Sequence, residues 1–320
     1  MGNNLFEESI YVPVVIAFTP NYLVPAAACL HSMFLNTGQS SRFHIICLLS
    51  EDLPESIKLA IKSIGGEKSQ YSFINLQGQL EHIKVDPVYS VATLYRLLLP
   101  DLLPQYDKVL YLDCDIIVRN DLAKVYNSTD IGDNYLGAVY EAALDFQEAH
   151  FLEIGCDPAT YFNAGFLIMN LKLLRQNNMC DKFLDMLNTN KLEFWDQDVL
   201  NVLCKDRIYP LPPIYNSIRT FFLPQYKHFF LKRYTETEWR AVQDHGTIHY
   251  TGIKPWHSFT VEFKVWWQYY EQLPFEIKRT YNPDKRAFIL YKIYDTIVGR
   301  WLFEQLQHLY RKIKYKRTFR

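Results

Sequence analysis

The chain has 320 residues, 49% of them apolar and 22% charged, a balance that gives a folded body with a sizeable core and excludes an extended disordered chain. With 34 basic against 35 acidic residues the formal net charge is −1, which argues against a nucleic-acid binder, since such proteins carry a basic excess. The charge is uneven: six Lys or Arg fall between Arg311 and Arg320, and no acid follows Glu304.

In chain order, Val14–Phe18 is a short apolar run closed by Thr19-Pro20-Asn21, which predicts a buried strand and a turn. Leu23, Ala27, Leu30 and Phe34 then repeat as one helix face. His44–Leu49 predicts a second strand. Pro54 opens a second helix carrying Ile57, Ile61 and Ile64, which Gly65-Gly66 ends, and Tyr71–Leu76 predicts a third strand. This β-α-β-α-β order is that of a parallel sheet covered by helices. Val91–Leu99 is expected to be helical and to stop at Pro100. Lys108–Leu112 predicts the clearest buried strand, with further strands at 135–140, 166–170 and 247–250.

From Trp256 the composition turns aromatic. Phe263, Trp266, Trp267 and Tyr270 make one helix face, and a last helix is expected from Arg286 to about Tyr315. The expected division is a catalytic domain over residues 1–258 and a helical, aromatic and basic segment over 259–320. Six cysteines without a C-x-x-C pair fit neither a zinc site nor a disulfide scaffold, and free buried thiols in a reducing cytoplasm are the expectation. The N-terminus lacks the charged and apolar regions of a signal peptide, and no window approaches about 18 apolar residues, so no membrane span is expected.

Asp113-Cys114-Asp115 stands where an apolar strand ends, the place at which open α/β sheets bind ligands. Two carboxylates two positions apart in a strand face one side, and burying them together is costly unless a cation neutralises them. Hard divalent ions favour such oxygen ligands and link them to substrate phosphates. A lone D-x-D is common and can be a solvated loop.

The stretch from Tyr95-Arg-Leu-Leu-Leu-Pro to Val109-Leu-Tyr-Leu-Asp-Cys-Asp115 resembles the signature of family 8 retaining glycosyltransferases, which include bacterial lipopolysaccharide glucosyl- and galactosyltransferases. Ala17–Tyr22, Tyr161-Phe-Asn-Ala-Gly165, Trp195-Asp-Gln-Asp-Val-Leu-Asn201 and His249-Tyr-Thr-Gly-Ile-Lys-Pro-Trp256 agree in the same order, so the resemblance spans residues 12–257. It implies a GT-A-type fold, a mostly parallel sheet flanked by helices, with a helical C-terminal segment. It also implies transfer of glucose or galactose from a UDP-sugar.

By the same resemblance, Asp113, Asp115 and His249 are the metal ligands, for Mn²⁺ with Mg²⁺ as the other candidate. Lys254 meets the diphosphate, and Gly252 allows close backbone approach. Ala17, Thr19, Asn21 and Tyr22 form the nucleotide loop. Arg96 lies near the donor, or else makes an ion pair on a helix surface. Cys114, Glu141, Asn163, Ala164 and Gly165 line the donor, and Asp196 and Gln197 hold the sugar. Many relatives carry an acid where Thr19 stands and Asp where Glu141 stands. Gln197 occupies the position expected of a nucleophile, and a neutral amide is a poor one, which favours front-face attack; Asp196 or Asp198 remains the alternative.

The acceptor is expected to be an oligosaccharide or lipid-linked glycan of lipopolysaccharide type, with the tail from 305 to 320 meeting an anionic membrane surface on the inner face of the cytoplasmic membrane. A metal-dependent nucleotidyl- or phosphotransferase and a non-catalytic glycan-binding protein on the same fold are the rival readings, the first weakened by the lack of a P-loop. The sequence leaves the oligomeric state open.

Overall fold

The computed structural model describes residues 11–83, 90–189, 192–281, 283–302 and 305. Strands run over Val12–Phe18 (β1), Phe43–Leu49 (β2), Ser69–Asn75 (β3), Lys108–Leu112 (β4), Ile116–Ile117 (β5), Leu136–Tyr140 (β6), Phe162–Asn170 (β7), Ile208–Pro210 (β8), Ser217–Ile218 (β9) and Ile248–His249 (β10). Helices run over Leu23–Leu35 (α1), Glu55–Lys62 (α2), Leu99–Leu102 (α3), Leu122–Ser128 (α4), Asp145–Glu153 (α5), Leu171–Gln176 (α6), Met179–Thr189 (α7), Trp195–Cys204 (α8), Lys227–Arg233 (α9), Glu236–His245 (α10), Phe263–Glu271 (α11), Phe275–Lys278 (α12) and Lys285–Tyr294 (α13).

The main sheet has the order β3-β2-β1-β4-β7-β6-β8. It is parallel throughout except that β7 runs antiparallel to both β4 and β6. β1 and β4 are buried on both faces, as central parallel strands must be, and this is why they read as unbroken apolar runs. A second, three-stranded sheet of β5, β10 and β9 stands at the carboxyl end of β4. It exists because the chain turns at Asp113–Asp115 straight into β5, which pairs with Ile248 and His249.

Two apolar layers sandwich the main sheet. One holds α1, α2 and the C-terminal aromatic residues, and the other holds residues 91–103 with α6, α7 and α8. The C-terminal helices pack into the first layer. Trp267 Nε1 donates to the Pro255 carbonyl at 3.2 Å, Tyr250 Oη to the Glu262 carbonyl at 3.0 Å, and Asn36 Nδ2 to Tyr269 Oη at 3.0 Å. Trp266 and Trp267 are fully buried.

Three local expectations are corrected. Val91–Leu98 is a 3₁₀ helix, and Pro100 does not stop it but sits in the first turn of α3, where a missing N–H costs nothing. Asp113 and Asp115 lie in a turn beyond β4 and not on an extended strand, so strand alternation does not explain their convergence. The last helix breaks after Tyr294 and resumes at 297–302. There Asp295 pairs with Lys264 at 2.5 Å, and the Thr296 hydroxyl bonds the Ile293 carbonyl, so local side chains compete with the helix ladder. The expected helix beyond 305, and the basic tail, lie outside the described residues.

Candidate active site

The residues that the sequence singled out lie at the carboxyl ends of β1, β4 and β6, at the amino end of antiparallel β7, on the 3₁₀ helix at 91–98 (Arg96), at the start of α8 (Asp196, Gln197), and in the small sheet or the loop just after it (His249, Gly252, Lys254). The β6–β7 ladder is interrupted there: Ala138 pairs with Leu167, but Val139 pairs with Asn163. The irregularity releases Ala164 and Gly165 from β6. The Gly165 carbonyl then accepts the Asp113 N–H at 2.8 Å, and the Ala164 carbonyl accepts from the Arg96 guanidinium. On the other side, Tyr250 N–H donates to the Asp115 carbonyl at 3.1 Å. The D-x-D turn is thus clamped at both ends by backbone hydrogen bonds.

This clamping brings Asp113, Asp115 and His249 together, with ligand atoms all within 4.8 Å of one another. His249 Nε2 stands 3.2 Å from Asp115 Oδ1 and 3.8 Å from Asp113 Oδ2. Two carboxylates and one imidazole suit a first-row divalent ion, and the imidazole is already aimed between them. His249 Nδ1 faces Asn216 Oδ1 at 2.9 Å, the outer partner that metal-bound histidines characteristically have. The residues present therefore fit a divalent metal.

Two cations compensate the acids. Lys254 Nζ contacts Asp115 Oδ2 and donates to the Tyr250 carbonyl at 2.8 Å. Burial alone would raise the Asp115 pKa, but Lys254 and His249 outweigh it and hold the carboxyl below its usual range. Burial alone would lower the Lys254 pKa, and Asp115 raises it on balance.

Arg96 is buried and is no helix-surface ion pair. It bridges Asp113 Oδ1 at 2.6 Å and Asp196 Oδ2 at 3.0 Å, with its guanidinium 4.3 Å from the Tyr111 ring centre. Burial still pushes the Asp196 carboxyl up to about 7, against the pull of Arg96. One cation shared between two acids offsets only part of the desolvation.

The sugar-facing candidates form one hydrogen-bonded cluster. Asn163 Nδ2 donates to Glu141 Oε1 and to Gln197 Oε1, each at 3.0 Å, and the Ala164 N–H donates to Gln197 Oε1 at 3.1 Å. Burial raises the Glu141 pKa. Trp195, just before Asp196, takes a left-handed φ of 36°, a strained conformation for a bulky residue that surrounding packing must hold. Asp198 is fully buried and accepts from Tyr161 Oη, His150 and the Glu193 and Phe194 N–H groups, so it is built into the fold and unavailable as a nucleophile.

Of the nucleotide-loop candidates, Ala17 is buried in β1, and Thr19 directly precedes the one-turn 3₁₀ helix Pro20–Tyr22, which carries exposed Asn21, without a side-chain capping bond. Tyr22 meets the edge of Trp256 at 5.9 Å and lies within the field of Lys254 and Asp115. Gly252 has φ +75°, which only glycine adopts freely, and open space where a Cβ would stand. All six cysteines are free; Cys114 is half-buried, and burial raises its thiol pKa well above normal. Tyr111 and Tyr161 lie inside the motif stretches but were not singled out, and Asn216 belongs to no motif; their hydrogen bonds and ring contact tie them to the candidate residues.

A mostly parallel sheet that ends in an acidic turn, with a histidine from a capping small sheet and a lysine from the loop just beyond it, is the arrangement of the GT-A class of nucleotide-sugar-dependent transferases. Residues 13–260 match the Glycosyl transferase family 8 signature, and the chain belongs to that family. It is 30% identical over 253 residues to the lipopolysaccharide 1,2-glucosyltransferase of Escherichia coli, covering 75% of this chain and 71% of that one. It is 29% identical to the glycosyltransferase GlyE of Streptococcus pneumoniae, covering 70% of this chain but 53% of that one, so it spans about half the length of that relative. Among solved structures, galactosyltransferase LgtC with donor and acceptor sugar analogs superposes with a TM-score of 0.69 at 26% identity, over 84% of this chain and all of that one.

Proposed function

We propose that this protein is a retaining hexosyltransferase that moves glucose or galactose from a UDP-sugar to a lipopolysaccharide-type oligosaccharide. The observation that carries the reading is the convergence of Asp113, Asp115 and His249 with Lys254 beside the Asn163–Gln197–Glu141 cluster. It puts a cation-binding locus and a hydroxyl-binding locus side by side, as a sugar diphosphate requires.

A divalent ion held by Asp113, Asp115 and His249, Mn²⁺ in this reading, would supply positive charge to the diphosphate oxygens. Lys254 adds a second charge to the leaving group, and Gly252 keeps the backbone beside it open. Asn163, Gln197 and Glu141 orient the sugar through its hydroxyls, with Arg96 holding Asp196 in place. Gln197 offers no carboxylate, the oxygens of Asp198 are all occupied, and Asp196 is engaged by Arg96 through Oδ2 at 3.0 Å. The acceptor hydroxyl therefore attacks the anomeric carbon from the face the diphosphate leaves. The new C–O bond forms as the bond to the diphosphate breaks, and the departing phosphate oxygen takes the proton.

The name of the E. coli relative supports the lipopolysaccharide-type acceptor. We assign catalysis to residues up to about 258 and an accessory role to the helices that follow, with residues 305–320 meeting an anionic membrane on its inner, cytoplasmic face. Among the described residues no helix is long and apolar enough to cross a membrane. The test is UDP release from UDP-glucose and UDP-galactose, with and without Mn²⁺, by wild type and Asp115→Ala. Release that needs both metal and Asp115 supports transfer; no release and no metal-dependent UDP binding overturns it.

A further inference from the structure

Asn216 immediately precedes β9, and the parallel pairing of β9 with β10 sets it beside His249. It is fully buried and has no charge or nucleophilic atom, yet it touches both halves of the site. Its Oδ1 lies 2.9 Å from His249 Nδ1, and its Nδ2 donates to Asn163 Oδ1 at 2.8 Å. Asn163 Oδ1 also accepts the Gly165 N–H at 3.0 Å, which leaves Nδ2 as the group aimed at Gln197 and Glu141. Gln197 Nε2 continues to Glu141 Oε1 and Tyr161 Oη, each at 3.3 Å, and Tyr161 Oη donates to Asp198 Oδ1 at 2.6 Å.

Every link in this chain has one polarity. The carboxylates of Glu141 and Asp198 only accept, so Tyr161 and the amides of Gln197 and Asn163 must donate toward them. With Nδ2 of Asn163 committed in that direction and the Gly165 N–H on its Oδ1, that oxygen faces Asn216 as an acceptor, so Asn216 must turn its Nδ2 toward it. Asn216 Oδ1 is then the atom left for His249, and an amide oxygen can only accept. The imidazole must carry a proton on Nδ1, and Nε2 is the atom turned toward Asp113 and Asp115.

We propose that Asn216 is a positioning residue that couples metal affinity to recognition of the donor sugar, by fixing the tautomer of His249 and the amide orientation of Asn163 at once. The proposal rests on the donor reading above for its sugar arm; its metal arm stands on the geometry of His249 alone.

Three measurements test it. Histidine ¹⁵N spectra of the metal-free wild type report the tautomer directly, and a His249 ring protonated at Nδ1 is expected. Mn²⁺ affinity by calorimetry, alone and with UDP, is expected to fall about tenfold or more in Asn216→Ala, the range for loss of an outer partner of a metal-bound histidine. The preference for UDP-hexose over UDP should fall in the same variant. Asn216→Asp keeps an acceptor for Nδ1 but sets a carboxylate oxygen against Asn163 Oδ1, so it should retain most Mn²⁺ affinity and lose the sugar preference. That split separates positioning from a merely structural role, and circular dichroism melts check folding.

A wild-type ring protonated at Nε2 and not at Nδ1, or Asn216→Ala with unchanged Mn²⁺ affinity, overturns the proposal. Parallel loss of both affinities in the two variants also overturns it, since a folding role alone explains that. An Asn216-dependent Mn²⁺ affinity with no UDP binding by wild type upholds the metal arm and overturns the sugar arm together with the donor reading.

Discussion

Gly165 packs directly beneath His249: a Cβ built on it would stand 2.3 Å from His249 Cε1 and 2.9 Å from Asp113 Oδ2. The glycine is required by proximity, since its own backbone angle is ordinary. Any side chain here must displace the imidazole, the carboxylate or both. Displacing reacting groups by about 1 Å costs on the order of a hundredfold in rate. Gly165→Ala is therefore expected to lower kcat/KM for the UDP-sugar by about that factor and to weaken Mn²⁺ binding, with a stability loss limited to the cost of overpacking, about 1–3 kcal/mol. Wild-type metal affinity in the variant would mean that His249 can shift without loss.

Arg96 gives a stability prediction. Removing it leaves buried Asp196 and half-buried Asp113 without their shared cation, and breaking a buried ion pair such as the one with Asp196 costs about 3–5 kcal/mol. Arg96→Met should lose that much in denaturant titration. Arg96→Lys should recover only part of it, because a single ammonium cannot span both carboxylates as the planar guanidinium does. A loss below about 1 kcal/mol would place the pair in the class of solvent-exposed ion pairs.

The contrast between these two sites shows what a sequence can carry. β1, β2 and β4 were legible because burial on both faces leaves them apolar but for His44 and Lys108, and the D-x-D turn because carboxylates are out of place at such a strand end. The convergence of His249 with Asp113 and Asp115 was legible only through family resemblance, since residues 134 positions apart have no local signal. The sequence left Arg96 undecided between surface and site, because its partner Asp196 is 100 positions away. Asn216 escaped altogether: an amide after Pro-Pro-Ile-Tyr reads as an ordinary turn, and only the β9–β10 pairing makes it a partner of His249. The break at Asp295-Thr296 was missed because apolar periodicity runs through it unchanged.

Glu141 gives a pH dependence. Burial raises its folded pKa above the ordinary value of 4.5, so the unfolded chain releases this proton first as pH rises. The group's contribution to stability is full below pH 4.5 and is lost as pH climbs through the folded pKa. Glu141→Gln keeps an Oε1 to accept from Asn163 and Gln197 and carries no charge. Its melting temperature should exceed that of the wild type at neutral pH, with the gap closing toward pH 4.5. A gap independent of pH across thermal melts would show that burial of the charge is not its source.

The last prediction concerns the proposed contact with an anionic membrane. Ile289, Ile293, Ile297, Val298, Trp301 and Leu302 are all exposed, with Ile297 at 85%, and exposed Lys285, Arg286, Lys292 and Arg300 lie among them. An apolar face of this kind in contact with water is unfavourable, and the basic side chains beside it complement anionic headgroups. The six basic residues from 311 to 320 extend the same charge. Co-sedimentation should follow vesicles containing phosphatidylglycerol and fail with phosphatidylcholine alone, weakening as salt rises. The double substitution Ile297→Glu with Trp301→Glu should abolish it while leaving UDP release from the soluble donor unchanged, because both residues lie outside the donor site. Sedimentation that survives the double substitution would assign the membrane contact to the basic tail alone, and sedimentation insensitive to lipid charge would remove the electrostatic account.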